Sequence, residues 1–288
     1  MTAARRFARA RPRLLRLAYS QLGDLGEAED VVQEAWLRLE RTGAESIDDL
    51  DAWLTTVVGR LALDTLRSAR ARREEYVGPW LPEPVVSTGA EDPADRVTLD
   101  ESVSYALLVL LEQLSPAERT AFVPHDVFDG PFGEVGEVVG RTPEAVRQLA
   151  SRARGHVAHQ RPRFEASPDE HDRAVRAFAQ AIAEGDLDGL VAVLDPDVVW
   201  TADGGGRAIA SRKPLHGAYR VARAWVALRR KAIEPTATPI ELNGRLGLML
   251  AGADGNRSVL SFMVDEGRIT RIDVVRNPAK LRRIQTGP

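Results

Sequence analysis

Residues 132–157 read FGEVGEVVGRTPEAVRQLASRARGHV, a short apolar helix, a break at Gly140-Arg141-Thr142 and a basic helix opening at Pro143. Thr142 is placed to cap the second helix, and Pro143 takes its first position, where a missing N–H is harmless. Val146, Leu149, Ala150, Ala153 and Val157 then recur at three- and four-residue steps and are expected to face inward. Glu144, Arg147, Gln148, Ser151, Arg152 and Arg154 are left outside. The pattern predicts a helix-turn-helix whose second helix enters a major groove, the alternative being a two-helix corner with a solvated face.

Composition bounds what surrounds this element. A length of 288 predicts about two domains, and 44% hydrophobic residues suffice for packed cores. The net charge of −3 excludes a uniformly basic coat, so nucleic-acid contact has to come from local patches. With no Cys, disulfides, thiolate catalysis and Cys-based zinc sites are out. No apolar run approaches the roughly 18 residues of a membrane span, and no membrane partner is expected. The Arg-rich start carries Phe7, Leu14, Leu15, Ala18 and Leu22 as a helical stripe, so it reads as the first helix of a cytoplasmic domain, not a targeting peptide.

Charge is unevenly spread. Residues 24–51 hold ten acids against Arg38 and Arg41, a local net of −8. Residues 60–73 invert to five Arg against one Asp, and residues 141–163 carry six Arg against Glu144, a net of +5. Clustered Arg is the usual footprint of phosphate neutralisation. The chain opens with helices over about 7–73: GEAEDVVQEAWLRLER sets Ala28, Val31, Val32, Ala35, Trp36 and Leu39 on one stripe, and a long helix over 51–73 ends in the Arg cluster.

EAEDVVQEAWLRL, then DAWLTTVVGRLALDTLRSARARR, then a helix-turn-helix some 70 residues on, together resemble a bacterial RNA polymerase sigma factor of the extracytoplasmic-function (ECF) group. The resemblance implies an acidic helix docking on core RNA polymerase through Asp30, Gln33 and Glu34. It implies capture of the melted −10 strand by the loop 42–51 and the helix after it, with Trp53 as wedge and Arg60, Arg67, Arg70, Arg72 and Arg73 on the DNA. Many relatives have Asn where Arg60 stands, so only DNA contact is assigned there; Trp53 can equally serve as core. For the −35 duplex the resemblance implies Arg147, Gln148, Ser151 and Arg152 on bases or phosphates, and Arg141, Thr142 and Arg154 on phosphates.

After the Arg cluster, YVGPWLPEP (76–84) opens a linker rich in Pro, Gly and acid. It resembles a signature of the sigma subgroup with a SnoaL-like C-terminal extension. Ser115-Pro116-Ala117-Glu118 is a capping box, and Pro124 predicts a kink or early end of the helix it opens; family members usually have another residue at 124. Past Gln160-Arg161-Pro162-Arg163 a helix, HDRAVRAFAQAIAEGDLDGLVAVLD, leads to strand-like VVWTAD, RAIAS, LGLMLAGA, SVLSFMV and RITRIDVVR, with a helix over 217–230. Asp254-Gly255 and Asp265-Glu266-Gly267 are placed for hairpin turns. GDLDGLVAVLDPDVVWTADGGG with NPAKL resembles the SnoaL-like cone, an α+β fold with a curved antiparallel sheet; the second motif usually has an acid where Ala279 stands.

The expected organisation is multidomain: sigma domain 2 over 1–75, linker 76–100, sigma domain 4 over 101–163, both sigma domains all-α, and a SnoaL-like regulatory domain over 164–288. Trp80, Leu81, Pro82, Glu83 and Pro84 of the linker, with Asp203, Gly204, Gly205, Gly206, Arg207, Asn277 and Pro278 of the cone, are the expected interdomain and regulatory residues. The implied partners are core RNA polymerase, promoter DNA at its −10 and −35 elements, and a small-molecule ligand in the cone; no cofactor, metal or catalytic residue is implied. The free protein is expected to be compact and silenced by its cone. Two other readings compete: a helix-turn-helix repressor or activator with a ligand-binding cone, and a cyclase- or isomerase-type enzyme using Asp203, His216 or Asp273 as general base. Asp203-Gly204-Gly205-Gly206-Arg207 lacks the Lys-Ser/Thr ending of a phosphate loop and reads as a strand-end turn.

Overall fold

A computed structural model describes residues 2–87, 103–160, 166–231, 236–252 and 257–284. The linker residues 88–100, the break 161–163 and the Asp254-Gly255 turn lie outside the described residues, as do the side chains of Arg72 and Gln160. The chain forms two compact units. One gathers the described residues of Met1–Glu75, Asp92–Val103 and Leu107–Arg161; the other gathers those of Tyr76–Glu91, Ser104–Ala106 and Pro162–Pro288.

The first unit is helical. Helices α1 (Ala3–Leu22), α2 (Leu25–Thr42) and α3 (Leu50–Glu74) start at Thr2, Asp24 and Asp49, each accepting a backbone N–H three residues on. Their facing stripes are buried as the spacing predicts: Phe7, Leu14, Leu15, Ala18 and Leu22 on α1, and Ala28, Val31, Val32, Ala35 and Leu39 on α2. Phe7 packs on Trp36 with ring centroids 4.9 Å apart.

Helix α4 (Tyr105–Leu111) is followed by α5 (Pro116–Phe122), opened by the capping box of Ser115 and Glu118. At Pro124 the chain widens into a π-turn over Val123–Val127, so α5 ends two residues before the proline, whose missing N–H the α-helix cannot use. Helices α6 (Phe132–Val139) and α7 (Pro143–Gln160) are the helix-turn-helix. Gly140 closes α6 at φ +70, a left-handed conformation that glycine adopts without strain. Thr142 Oγ1 accepts the Ala145 N–H at 3.3 Å. We expect Thr142→Ala to lower stability by about 1 kcal/mol, read from denaturant unfolding with an unchanged slope. Val146, Leu149, Ala150, Ala153 and Val157 are all buried.

In the second unit, α8 (Pro168–Glu184) and α9 (Leu187–Val193) come from one predicted helix, broken at Gly185 (φ +71). Strands β1 (Val86–Ser87), β2 (Leu194–Asp203), β3 (Leu215–His216), β4 (Thr236–Leu242), β5 (Arg245–Ala251), β6 (Arg257–Asp265) and β7 (Arg268–Val275) form one sheet in the order β1-β4-β5-β6-β7-β2-β3. Helix α10 (Ala218–Lys231) sits between β3 and β4 in the chain. All pairs are antiparallel except β2 with β7, so the sheet is mixed where antiparallel was expected throughout.

Two strand assignments change. Residues 207–211, expected as a strand, turn instead, because Arg207 and Ala208 both donate their N–H to the Gly204 carbonyl, at 3.0 and 2.9 Å. Strand β4, which carries Pro239 in its middle, is not among the expected strands. Among the described residues β1 pairs with Glu241 and Leu242 of β4, and Pro239 lies opposite Leu248 of β5. The β4–β5 hairpin turns on Asn243-Gly244, both at positive φ, and the β6–β7 hairpin on Glu266-Gly267.

The two sheet faces differ. Trp200, Ala202, Leu260, Phe262, Ile272 and Val274 point to the core under α8 and α10, where Trp200 stacks on Trp225 at 5.2 Å and Phe178 meets both Trp225 and Phe262 edge-on. Alternation puts Thr201, Asp203, Ser261, Arg271 and Asp273 on the opposite face.

Candidate functional site

The linker is seated on that opposite face, and Asp203 is the centre of the seat. Its carboxylate, fully buried at the end of β2, accepts four hydrogen bonds. Two come to one oxygen, from the Tyr76 hydroxyl at 2.6 Å and the Gly205 N–H at 3.0 Å. Two come to the other, from the Leu81 N–H at 3.0 Å and Lys280 Nζ at 2.8 Å. The Lys280 ammonium also donates to the Leu81 carbonyl and stands 3.8 Å from the centre of the Trp80 ring. An ammonium over an indole face is the favourable cation–π geometry.

The flanks of the linker are held as well. Asn277 Nδ2 donates to the Tyr76 hydroxyl at 2.8 Å, while its Oδ1 accepts the Ala279 N–H at 3.0 Å. A Cβ at Gly205 would lie 2.4 Å from the Asn277 amide, so the glycine is what lets this side chain approach. Asn243 and Val85 exchange two bonds, at 2.9 and 3.1 Å, and start the β1–β4 ladder. Tyr105 donates its hydroxyl to the Pro82 carbonyl at 2.9 Å. Leu81, Pro82, Glu83 and Pro84 are buried, and Arg283 lies 3.8 Å from Glu83. Burial, then the Asp203 bond, pushes the Tyr76 hydroxyl well above its usual range, so it stays a donor.

Of the expected regulatory residues, Trp80, Leu81, Asp203, Gly205 and Asn277 meet at this seat. Gly204 forms the turn behind it; Gly206, Arg207 and Pro278 are exposed. Tyr76, Lys280, Asn243 and Tyr105 join them here without a sequence signal of their own. Tyr76 and Lys280 lie inside YVGPWLPEP and NPAKL, but which member of a motif carries its charge is fixed only by the fold. Loss of the acid at 279 leaves the seat intact, because Lys280 supplies its cation and Asn277 its amide.

In the first unit, Asp30 and Gln33 are exposed on α2, and Glu34 holds Arg38 at 3.0 Å and Arg41 at 3.2 Å. The Arg38 bond holds the Glu34 carboxyl below its usual range. Leu37, 42% exposed, completes this face at i+7 from Asp30, an apolar member that the charge pattern alone hid.

The −10 candidates part company. Trp53 is half-buried, and Arg67 and Arg70 are exposed, Arg67 lying 3.3 Å from Asp64. Arg60 donates from Nε and Nη2 to the Glu137 carbonyl of α6, at 3.2 and 3.0 Å. Beside it, a Cβ at Gly59 would lie 3.0 Å from both Val138 methyls, so α3 and α6 touch closely. Arg73 is turned inward, bound to Glu112 and, at 2.9 Å, to the Leu22 carbonyl. Arg119, 2% exposed, takes the other Glu112 oxygen and the Ser20 carbonyl.

The −35 candidates form one exposed face, with Arg141, Thr142, Gln148 and Ser151 in the open. Arg147, Arg152 and Arg154 rest on Glu144, Glu118 and Asp126 at 3.4, 3.5 and 2.7 Å, and Arg147 also covers the Phe132 ring. The Arg147–Glu144 pair is exposed on both sides and worth about 1 kcal/mol at most, whereas Glu118 and Asp126 are 13% and 18% exposed beneath outward guanidiniums. No described helix is long and apolar enough to cross a membrane.

Three family models match the chain: Sigma-70 region 2 over residues 7–72, Sigma-70 region 4 over 104–157 and the SnoaL-like domain over 175–275. The chain is 42% identical over 286 residues to the ECF RNA polymerase sigma factor SigJ of Mycobacterium tuberculosis, covering 95% of this chain and 91% of that protein. It is 38% identical over 273 residues to the probable ECF RNA polymerase sigma factor SigI of the same species, covering 93% and 91%. The crystal structure of SigJ superposes with a TM-score of 0.81 at 38% identity, covering 97% of this chain and 98% of that one.

Proposed function

The chain belongs to the ECF RNA polymerase sigma factors, and from that premise we propose that its SnoaL-like cone regulates initiation by holding the linker 76–87. As a sigma factor it binds core RNA polymerase and directs promoter-specific initiation. Asp30, Gln33, Glu34 and Leu37 give the polymerase one acidic face with an apolar member. Arg67, Arg70 and Trp53 serve the −10 strand, and the outer face of α7 the −35 duplex.

The observation that carries the regulatory reading is the four-bonded Asp203 carboxylate. A linker merely draped over a cone would not present a phenol, a backbone N–H and an indole face to one buried ion pair. The free chain is then a closed state twice over. Its linker is occupied by the cone, and Arg60 is occupied by the helix-turn-helix. Initiation requires both to be given up.

The cone's own groups favour binding over catalysis. Asp203 and Asp273 lie on the sheet face away from the aromatic core, and each is already matched by a cation, Lys280 or Arg271. Arg271 Nε grips both Asp273 oxygens, at 3.0 and 2.7 Å, yet burial outweighs this and raises the Asp273 carboxyl. His216 stands exposed on the edge strand. None of the three is a free base inside a pocket.

Run-off transcription with purified core polymerase, the full chain and a pool of genomic fragments tests the function. Start sites should cluster downstream of a shared two-part sequence. Arg147→Ala/Arg152→Ala should remove most transcripts while leaving the complex with polymerase intact. Transcripts that do not depend on the added chain would sink the reading.

A further inference from the structure

Residues 204–231 carry eight Lys and Arg and no Asp or Glu. In a chain of net charge −3 that leaves −11 for the remainder, so this is the most unbalanced positive stretch of its length. It forms the loop after β2, the edge strand β3 and helix α10. Helix α10 buries Ala218, Val221, Ala222 and Trp225 in the core and turns Tyr219, Arg220 and Arg223 outward. Arg212 and Lys213, just before β3, are exposed too.

Among the described residues none of these four cations is paired with a carboxylate, whereas Arg147, Arg152 and Arg154 of α7 each are. The cone therefore offers uncompensated positive charge where the helix-turn-helix offers charge already partly matched. Tyr219 is 58% exposed, with the Arg223 guanidinium 5.7 Å from its ring centre, within cation–π range. Ile209, in the loop after β2, is the other large apolar side chain this stretch exposes, and a protein partner would call for a larger apolar centre than these two. A phosphodiester chain needs only spaced cations and donors.

We propose that the edge strand β3 and the outer side of α10 are a second, sequence-independent DNA contact, holding the phosphate backbone of duplex promoter DNA while α7 reads its bases. This rests on the sigma-factor reading, which brings the cone to DNA at all.

The test is binding of duplex DNA by the full chain in complex with core polymerase, at 50 and 200 mM salt. The variants are Arg220→Ala/Arg223→Ala and, on the separate loop, Arg212→Ala/Lys213→Ala. Two lost phosphate contacts lower the slope of log K against log salt by about 1.8, so over this fourfold range the variant loses about 12-fold less affinity than the parent. The loss at 50 mM should be equal for promoter and scrambled duplexes, and Arg220→Lys/Arg223→Lys should keep the parent slope. Unchanged slopes in both Ala variants overturn the proposal. So does weakened binding to core polymerase with an unchanged DNA slope, which would give this face to an acidic protein. If the parent chain binds no core polymerase, the sigma-factor reading fails first, and that outcome is visible before any DNA is added.

Discussion

Lys280→Met lowers the stability of the cone by about 3–5 kcal/mol, because it strands a fully buried carboxylate whose remaining donors are all neutral. For a domain of this size that is a fall of roughly 6–20 °C in the unfolding midpoint, measured by circular dichroism. Trp80 loses the cation over its ring, and Leu81 loses the donor to its carbonyl, so the linker is released as well as the ion pair broken. Limited proteolysis should cut between residues 76 and 87 sooner in the variant. Asp203→Asn/Lys280→Met should recover part of the loss, since an amide tolerates burial without a counter-charge. A midpoint unmoved in Lys280→Met would mean that solvent reaches Asp203.

Glu112→Ala should be comparably severe in the helical unit. Glu112 bridges Arg73 and Arg119, and Arg119 is among the most deeply buried side chains of the chain. Without the carboxylate two guanidiniums face each other with no charge between them, beside the Leu22 and Ser20 carbonyls. The expected cost is again about 3–5 kcal/mol, with Glu112→Gln intermediate because it keeps two acceptor lone pairs but no charge. Denaturant unfolding reads the difference. This bridge ties the end of α3 to α4 and α5, so its loss should also loosen the Arg60 contact to Glu137 and speed amide exchange along α6.

The bridge shows what a sequence conceals. Arg73 belongs to an Arg-rich helix end, and composition assigns such a cluster to phosphate; only packing reveals that one member points inward to Glu112. Arg60 is similar, since its target is a backbone carbonyl, which no side-chain pattern marks. Where local chemistry decides the structure, the sequence is transparent. Thr142, Pro143 and Gly140 fix the helix-turn-helix, Ser115 and Glu118 fix the start of α5, and Pro124 ends it. Where pairing partners lie far apart in the chain, it is not. Strand β4 carries Pro239 in its middle, a residue that argues against a strand when only the local pattern is read. The Asn243-Gly244 turn was readable but unused, and the parallel β2–β7 pair depends on the connection through α10. The linker seat lies between: its motifs are visible as motifs, but the roles of Lys280 and Tyr76 follow from 77 and 127 residues of separation from Asp203.

For transcription to start the linker has to leave the cone, and the absence of cysteine from the chain allows a clean test. A Cβ added at Gly206 would lie 3.2 Å from Val77 Cβ, within a few tenths of an ångström of the range a disulfide spans. At φ +69 a cysteine there costs about 1–3 kcal/mol, which the cone should bear. Run-off transcription by Val77→Cys/Gly206→Cys with core polymerase should fall at least about tenfold when the pair is oxidised, the equivalent of 1.4 kcal/mol, and return on reduction. Equal transcript yields from the oxidised and reduced forms would mean that the linker can stay on the cone during initiation.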